Sequence, residues 1–386
     1  TAEEVKVKFN AKEIVVSVEE TIYEKNRNRD LKSVENCLNS LKAQTNDRFE
    51  VVLVDYGSRH SYKEQLKILT QSYKFVELLR CETNQQLWSK SKAINMVLKK
   101  TNAPYLFVGD VDMIYHPSFT ETLHDLKNYK QVVYFQVGFL KEAESKISKE
   151  FDAYNINFKS NEQATGMTLF PSEVIKSING YDEFYHGWGG EDTDVHERLK
   201  NAGCKVTFHN ESVLMLHQWH PKDYREPNDL TTIHSSSEQI NKLYCRYEAR
   251  LGVNHQYLEF SKRTKKVKAN KNFEWGKYNE LNYKALKTID LSFKITNRES
   301  EIKAFISNVL LSESGKVITI SISQDADYNT FKQKAKKVLG KKTVLFLEIE
   351  IINNMLLECI VNKWRTNAYQ FQYNATKQTI HFTIKL

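Results

Sequence analysis

Cysteine is scarce in this chain. Five residues, Cys37, Cys81, Cys204, Cys245 and Cys359, stand scattered among 386, and no two form a CxxC pair. That pattern argues against a disulfide framework or a structural zinc site and favours a reducing compartment. Long hydrophobic runs are missing too: none approaches the ~20 residues that a membrane-spanning helix needs. No signal-peptide pattern opens the sequence, and no internal repeat is visible. Charge of one sign does not dominate. A net charge of +8 is mild for this length, so it does not by itself imply nucleic acid. It fits a phosphate-bearing ligand or an anionic surface equally well. What is present is an apolar share of 40% with 12% aromatics, enough to bury a sizeable core, in a length that suits about two domains.

Apolar runs and helical patterns alternate through the first half. Residues 13–18, 49–54, 75–79 and 105–108 read as strands from their apolar, largely β-branched content. Residues 30–43 and 89–100 read as helices between them. This alternation predicts an α/β fold with a doubly wound, mostly parallel sheet. Ligands in such sheets sit at the carboxyl ends of the strands, and Asp55, Asp110 and Asp112 all fall there. Further strands are expected at 132–137, 166–170, 206–208 and 213–216, with a helix from about 193 to 202. Residues 1–255 are expected to form this first domain. Residues 256–284 read as a basic helix end or linker, containing SKRTKKVKANK at 261–271. Residues 285–386 read as a smaller α/β domain, with strands at 289–295, 317–323 and 344–349, helices near 300–311 and 328–339, and a terminal hairpin. Residues 1 to about 260 are expected to bind a nucleotide without it.

The richest stretch is GWGGEDTD at 187–194, with three glycines, one tryptophan and three carboxylates. Glycines allow tight turns and close approach to a ligand, and Trp188 offers a flat apolar face on which a sugar can stack. Glu191 and Asp192 can bind hydroxyls or accept a proton, and they also suit a helix N-terminus. The glycines around one tryptophan predict a loop, about 180–188, that is mobile until substrate binds. Asp110 and Asp112, at a strand end, form a second carboxylate pair suited to a hard cation, Mn²⁺ or Mg²⁺. His217 and His220 follow the last strand of this region and are common ligands for the same class of metal. Lys92 and Asn95 share one helical face and can reach a phosphate or ribose, whereas Lys90 reads as solvated.

In their joint order these motifs resemble two related groups. Residues 161–194, with ATGMTLFPSEVIKSINGYDEFYHGWGGEDTD at their core, resemble the β-1,4-galactosyltransferases and the chondroitin-polymerase type of family 2 glycosyltransferases. The Arg27-Asn28-Arg29 triplet, the WSKSKAIN stretch at 88–95 and Gly109-Asp110-Val111-Asp112 resemble the upstream half of the same pattern. The resemblance covers roughly residues 13–227. It implies a GT-A fold using a UDP-sugar and a divalent metal. Asp112 would bind the metal with His217 or His220, and Asp110 would touch ribose or sugar. Asp55 would read uracil, and Arg27 and Arg29 would grip the pyrophosphate. Trp188, Gly189, Gly190 and Glu191 would bind sugar or acceptor, and Asp192 would be the base of an inverting transfer to a glycan hydroxyl.

Two other readings stay open. A retaining UDP-sugar transferase of the polypeptide N-acetylgalactosaminyltransferase type carries a related Trp-Gly-Gly-Glu segment, although Asp192 argues against it. A non-catalytic glycan- or nucleotide-binding protein on the same fold is the other. Richness in Lys, Asn and Ile suggests a bacterial source and a role in surface polysaccharide. The expected location is the cytoplasm, with residues 261–271 offering peripheral contact at the inner face of the membrane.

Overall fold

The computed structural model describes residues 14–20, 31–58, 60–81, 83, 85–220, 232–251, 258–260, 267–269, 275, 286 and 288–386. The first elements alternate as the sequence predicts. They are β1 (Ile14–Glu20), α1 (Leu31–Lys42), β2 (Phe49–Tyr56), α2 (His60–Thr70), β3 (Val76–Cys81), α3 (Lys90–Lys100) and β4 (Tyr105–Asp110). Then follow β5 (Met113–Tyr115), α4 (Phe119–Asp125), β6 (Gln131–Phe135), β7 (Gly138–Phe139), α5 (Glu142–Ser145) and β8 (Phe158–Lys159). This part closes with β9 (Thr168–Pro171), α6 (Ser172–Ser177), α7 (Glu191–Asn201), β10 (Lys205–His209) and β11 (Met215–His217).

Seven of these strands form one sheet in the order β10-β6-β9-β4-β1-β2-β3. All its pairings are parallel except those of β9, which runs antiparallel to both β4 and β6. The chain is therefore doubly wound and mostly parallel, as expected. Strand β2 explains why. Its run FEVVLVDY is buried on both faces, so a helix layer must cover each side. Val51 and Leu53 pack with Val34, Leu38 and Leu41 of α1. Val52 and Val54 point the other way, into a core with Ile94 and Val97 of α3 and Val195 and Leu199 of α7. This is the period of two that a strand dictates.

A smaller sheet, β5-β11-β7-β8, stands at the end of the large one. Helix α8 (Ser237–Leu251) and an antiparallel pair, β12 (Leu258–Phe260) with β13 (Val267–Ala269), come next. Part of the basic stretch expected as a helix end or linker is thus a strand; the rest of it lies outside the described residues. The C-terminal elements are β14 (Leu291–Thr296), α9 (Glu299–Phe305), β15 (Val317–Ser323), α10 (Phe331–Val338), α11 (Ile349–Cys359), β16 (Tyr369–Asn374) and β17 (Thr379–Lys385). Their sheet has the order β14-β15-β17-β16.

One expected strand is not there. Around residues 344–349 only Phe346 forms an isolated bridge, with Arg298, and Ile349 opens α11. Buried Ile349, Ile352, Leu356, Leu357 and Ile360 follow a helical spacing that the short β-branched lead-in conceals. The expected boundaries near 255 and 285 fall in segments outside the described residues. The C-terminal sheet nevertheless touches the first part directly. The Phe371 N–H donates to the Gln85 carbonyl at 2.7 Å, and the Leu87 N–H donates to the Tyr369 hydroxyl at 2.8 Å. Leu87 itself is buried in the C-terminal core.

Candidate active site at the carboxyl ends of the strands

Strand β4 ends on Asp110, and the chain turns through Val111 and Asp112 before entering β5. Gly109 is required there. A Cβ at this position would lie 2.5 Å from the Tyr115 hydroxyl and 2.9 Å from the Phe107 ring. Strand β5 pairs antiparallel with β11 and sets Met113 opposite His217, so Asp112 comes beside that imidazole. Gln218 holds the chain beyond β11. Its backbone N–H and its side-chain amide both donate to the Asp112 carbonyl, at 2.9 and 3.2 Å. The same side chain accepts from Asn36 Nδ2 at 2.8 Å and donates to the Ser33 carbonyl at 3.0 Å, tying it to α1. His220 is thereby returned to the site. His217 Nε2 and His220 Nε2 each lie 3.5 Å from Asp112 Oδ2. One ligand atom from each of the three residues falls within 4.8 Å of the others. Phe139 stacks on the His217 ring and fixes its plane. A carboxylate and two imidazoles at this separation fit a Mn²⁺-class cation with coordination positions left for a ligand.

The second half of the site comes from α7 and α3. Gly187, Gly189 and Gly190 all have positive φ, at 70°, 96° and 98°, which only glycine adopts without strain. At Gly190 a Cβ would also lie 2.9 Å from the Tyr185 ring. The helix starts directly after it, at Glu191, two residues earlier than the sequence pattern suggests. Its first turn sends carboxylates to different places. Asp194 is buried against Arg198 at 2.7 Å, and that guanidinium also donates to the carbonyls of Ile178 and Gly180. Asp192 turns toward Lys90, whose Nζ lies 3.7 Å from Asp192 Oδ2 and 3.0 Å from Asp110 Oδ1. Ser89 caps α3 and donates to the Tyr185 carbonyl at 2.9 Å, which sets Lys90 at the helix entrance. One ammonium thus bridges the end of β4 and the start of α7.

Burial dominates the electrostatics. It raises the Asp192 carboxyl above the usual range, Lys90 opposes the rise and Asp110 adds to it. Burial, reinforced by Asp192, raises the neighbouring Glu191 carboxyl as well. Asp55 ends β2 one strand from Asp110, since β1 sets Glu20 beside Asp55 and Glu19 beside Asp110. One oxygen of Asp55 accepts the Ser58 N–H at 2.9 Å. The other, Oδ2, is buried with no hydrogen-bond partner among the described residues, and burial raises this carboxyl too.

Asp55, Asp110, Asp112, Asp192, His217 and His220 therefore gather along one edge, with Trp188, Gly189, Gly190 and Glu191 at the entrance to α7. Arg27 and Arg29 lie outside the described residues. Lys92 and Asn95 are corrections. Lys92 is buried and donates to the Arg365 carbonyl, and burial lowers its ammonium to about 8. Asn95 is occupied by Tyr181, whose N–H and carbonyl it binds at 2.8 Å each, and by Glu183. Two residues along a helix are ~200° of rotation, so Lys90 and Lys92 face nearly opposite ways, and Lys90 is the one in the site. Its place directly after an N-cap serine, at the strand-end face, was the available signal.

The loop expected to be mobile is packed along most of its length. Residues 181–186 are buried. Tyr244 of α8 donates to Asp182 Oδ2 at 2.9 Å and stacks on Phe184, and Asn241 donates to the His186 carbonyl at 2.9 Å. Residues 187–190 are less buried, with Trp188 45% exposed. The α8 contacts are tertiary and left no local trace in the sequence.

Comparison with known proteins agrees with this architecture. Residues 25–170 match the model of glycosyl transferase family 2. Residues 145–220 match a model described as the N-terminal domain of galactosyltransferase. Among curated proteins, β-1,4-galactosyltransferase 5 of Sus scrofa is 28% identical over 105 residues, covering 25% of this chain and 27% of that protein. The Danio rerio protein of the same name is 25% identical over 166 residues, covering 40% and 39%. β-1,4-Galactosyltransferase 1 of Bos taurus is 25% identical over 133 residues, covering 33% and 29%. The chain thus spans between about a quarter and two fifths of the curated relatives it matches. Solved structures similar to it include a mannosyltransferase, PcManGT, from Pyrobaculum calidifontis in complex with GDP-Man and Mn²⁺. It is 16% identical, with a TM-score of 0.39 over 56% of this chain and 59% of that one. Another is S. aureus TarS 1-349 in complex with UDP, 15% identical, with a TM-score of 0.39 over 55% and 61%. Together the two models match residues 25–220, the first as glycosyl transferase family 2 and the second as a galactosyltransferase domain.

Proposed function

We propose that this glycosyltransferase moves a hexose or N-acetylhexosamine of the galactose type from a UDP-sugar to a glycan hydroxyl, with inversion at the anomeric carbon. The observation that carries the reading is the adjacency of two groups. Asp112, His217 and His220 lie within ligand distance of one another, and the Asp110–Lys90–Asp192 bridge stands beside them. A divalent cation, Mn²⁺ or Mg²⁺, held by the first group would neutralise the charge that builds on the leaving diphosphate. Asp55 Oδ2, buried and without a described partner, suits an N–H of the uracil ring. Arg27 and Arg29 would clamp the pyrophosphate by fork geometry. Asp110 would hold ribose or sugar hydroxyls. Trp188, Gly189, Gly190 and Glu191 would form the sugar and acceptor surface. Glu191, whose carboxyl burial raises, would bind a hydroxyl of the sugar or acceptor.

Asp192 is the base. It would take the proton of the attacking hydroxyl on the side of the sugar away from the diphosphate. Asp192→Asn keeps the shape and loses the proton acceptor. Transfer should fall by about 10²–10⁴-fold, the usual contribution of a positioned base, with donor affinity unchanged. Near-normal transfer by this variant would refute the assignment. NMR of the new linkage should show the anomeric configuration opposite to the donor's; a retained configuration would favour the retaining alternative. A bacterial, cytoplasmic enzyme of surface-polysaccharide synthesis is the setting that this reading suits.

A further inference from the structure

Helix α10 is built inside out. Its N-cap is Thr330, whose hydroxyl accepts the Gln333 N–H. The sequence from there is FKQKAKKVLGKKTVL. Phe331, Ala335, Val338 and Leu339 stand at i, i+4, i+7 and i+8, the spacing of one helical stripe. In a helix packed on a core this stripe is the buried one. Here Phe331 is 86%, Val338 87% and Leu339 67% exposed, while Gln333, on the opposite side, is 9% exposed. The polar side of the helix faces the protein and the apolar side faces outward. Val344 and Leu345, in the loop that follows, are exposed as well. Lys332, Lys334, Lys336, Lys337, Lys341 and Lys342 are interleaved with these apolar residues, and no acidic residue occurs between Asp327 and Glu348.

We infer that residues 331–345 dock this protein on an anionic lipid bilayer. Each half of the feature needs the other. An outward apolar stripe is costly in water unless something apolar covers it. Lysines on both flanks of the stripe can lay their methylene stems along the apolar residues while their ammonium groups reach lipid phosphates. A protein partner would satisfy the stripe alone, and a soluble anionic polymer would satisfy the lysines alone; a bilayer with anionic headgroups satisfies both. No described helix is long and apolar enough to cross a membrane, so the contact is peripheral. It is separate in sequence from the basic stretch 261–271 and is independent of the catalytic reading.

The test is sedimentation of the full chain with extruded vesicles, of phosphatidylcholine alone and of phosphatidylcholine mixed with phosphatidylglycerol. The wild type should pellet with the mixed vesicles and stay in solution with the neutral ones, and binding should weaken as salt is raised. Each of Lys332→Gln, Lys336→Gln and Lys337→Gln should weaken binding about fivefold at low salt. The triple variant Phe331→Ser, Val338→Ser, Leu339→Ser removes exposed side chains only. It should keep the wild-type melting temperature and lose at least about tenfold in vesicle binding. No binding of the wild type to the mixed vesicles overturns the inference. So does wild-type binding by the serine triple, because the charge would then act without the stripe. A concentration-dependent dimer that the serine triple dissociates also overturns it, with a second copy of the chain as the true occupant.

Discussion

Replacing Lys90 by methionine removes the ammonium that lies between Asp110 and Asp192 and keeps most of the side-chain volume. At 3.7 Å from Asp192, a unit charge at an effective dielectric of ~20 attracts the carboxylate by about 4–5 kcal/mol. The Lys90 side chain is 9% exposed and that of Asp192 19%, so water screens part of this, and about 2–3 kcal/mol is a working figure. With tenfold in an equilibrium for each ~1.4 kcal/mol, that amounts to about 30- to 150-fold in favour of charged Asp192. The sign follows from the site. Burial already raises the Asp192 carboxyl, Asp110 raises it further, and Lys90 holds it down. As the proposed base, Asp192 would work only when charged, so transfer should fall as pH falls through its raised pKa. Without Lys90 that pKa rises again and the acid limb of the kcat profile moves to higher pH. Transfer at neutral pH should drop by up to about 100-fold and recover in alkaline buffer. The assay is a pH profile of kcat and of the KM for the donor, on wild type and Lys90→Met. An unchanged acid limb with only a raised donor KM would refute the coupling and leave Lys90 as a phosphate ligand.

Four further outcomes are expected. Excess EDTA should abolish transfer and added Mn²⁺ restore it, and Asp112→Ala should not be rescued; full turnover in EDTA would remove the metal from the proposal. His217→Ala and His220→Ala should each raise the half-saturating Mn²⁺ concentration by about 10–100-fold, read by titration. Arg198→Met strands Asp194 in the core and should cost about 3–5 kcal/mol of stability, a fall in melting temperature large enough for routine calorimetry. A chain ended at residue 260 should melt lower than the full chain, because Leu87 loses the Tyr369 hydroxyl and Lys92 loses the Arg365 carbonyl; an equal melting temperature would show that the interface adds nothing.

The sheet was legible because burial on both faces of β2 and β4 leaves apolar runs that few other structures tolerate. The strand-end aspartates followed from that order alone. The start of α7 came out two residues early because Gly190, in a left-handed conformation, ends the loop without a side-chain cap. The lysine was misassigned because sequence shows two basic residues near a helix start but not which way each points. Lys92 is drawn inward by a carbonyl 273 residues away, a contact that no local pattern encodes. The same holds for the loop 181–186, which is packed against Tyr244 and Asn241 of α8. The stretch at 344–349 shows the converse error, in which a short apolar run suggested a strand and tertiary packing of the following helical face decided otherwise.

The hydrogen bond between Leu87 and Tyr369 spans 282 residues, and this gives the protein a timetable. At ordinary synthesis rates the ribosome needs on the order of 15–55 seconds to travel that distance. Strands β1 to β3 are already made when that interval begins, and β4, β6, β9 and β10 are made within it, so the large sheet is complete before Leu87 meets its Tyr369 hydroxyl. Lys90 stands three residues beyond Leu87, so the cation of the site hangs from a strut whose far anchor arrives late. A nascent chain stalled before residue 369 should therefore carry a finished sheet and an unfinished site. On the proposed function, transfer would become possible only once β16 has been made.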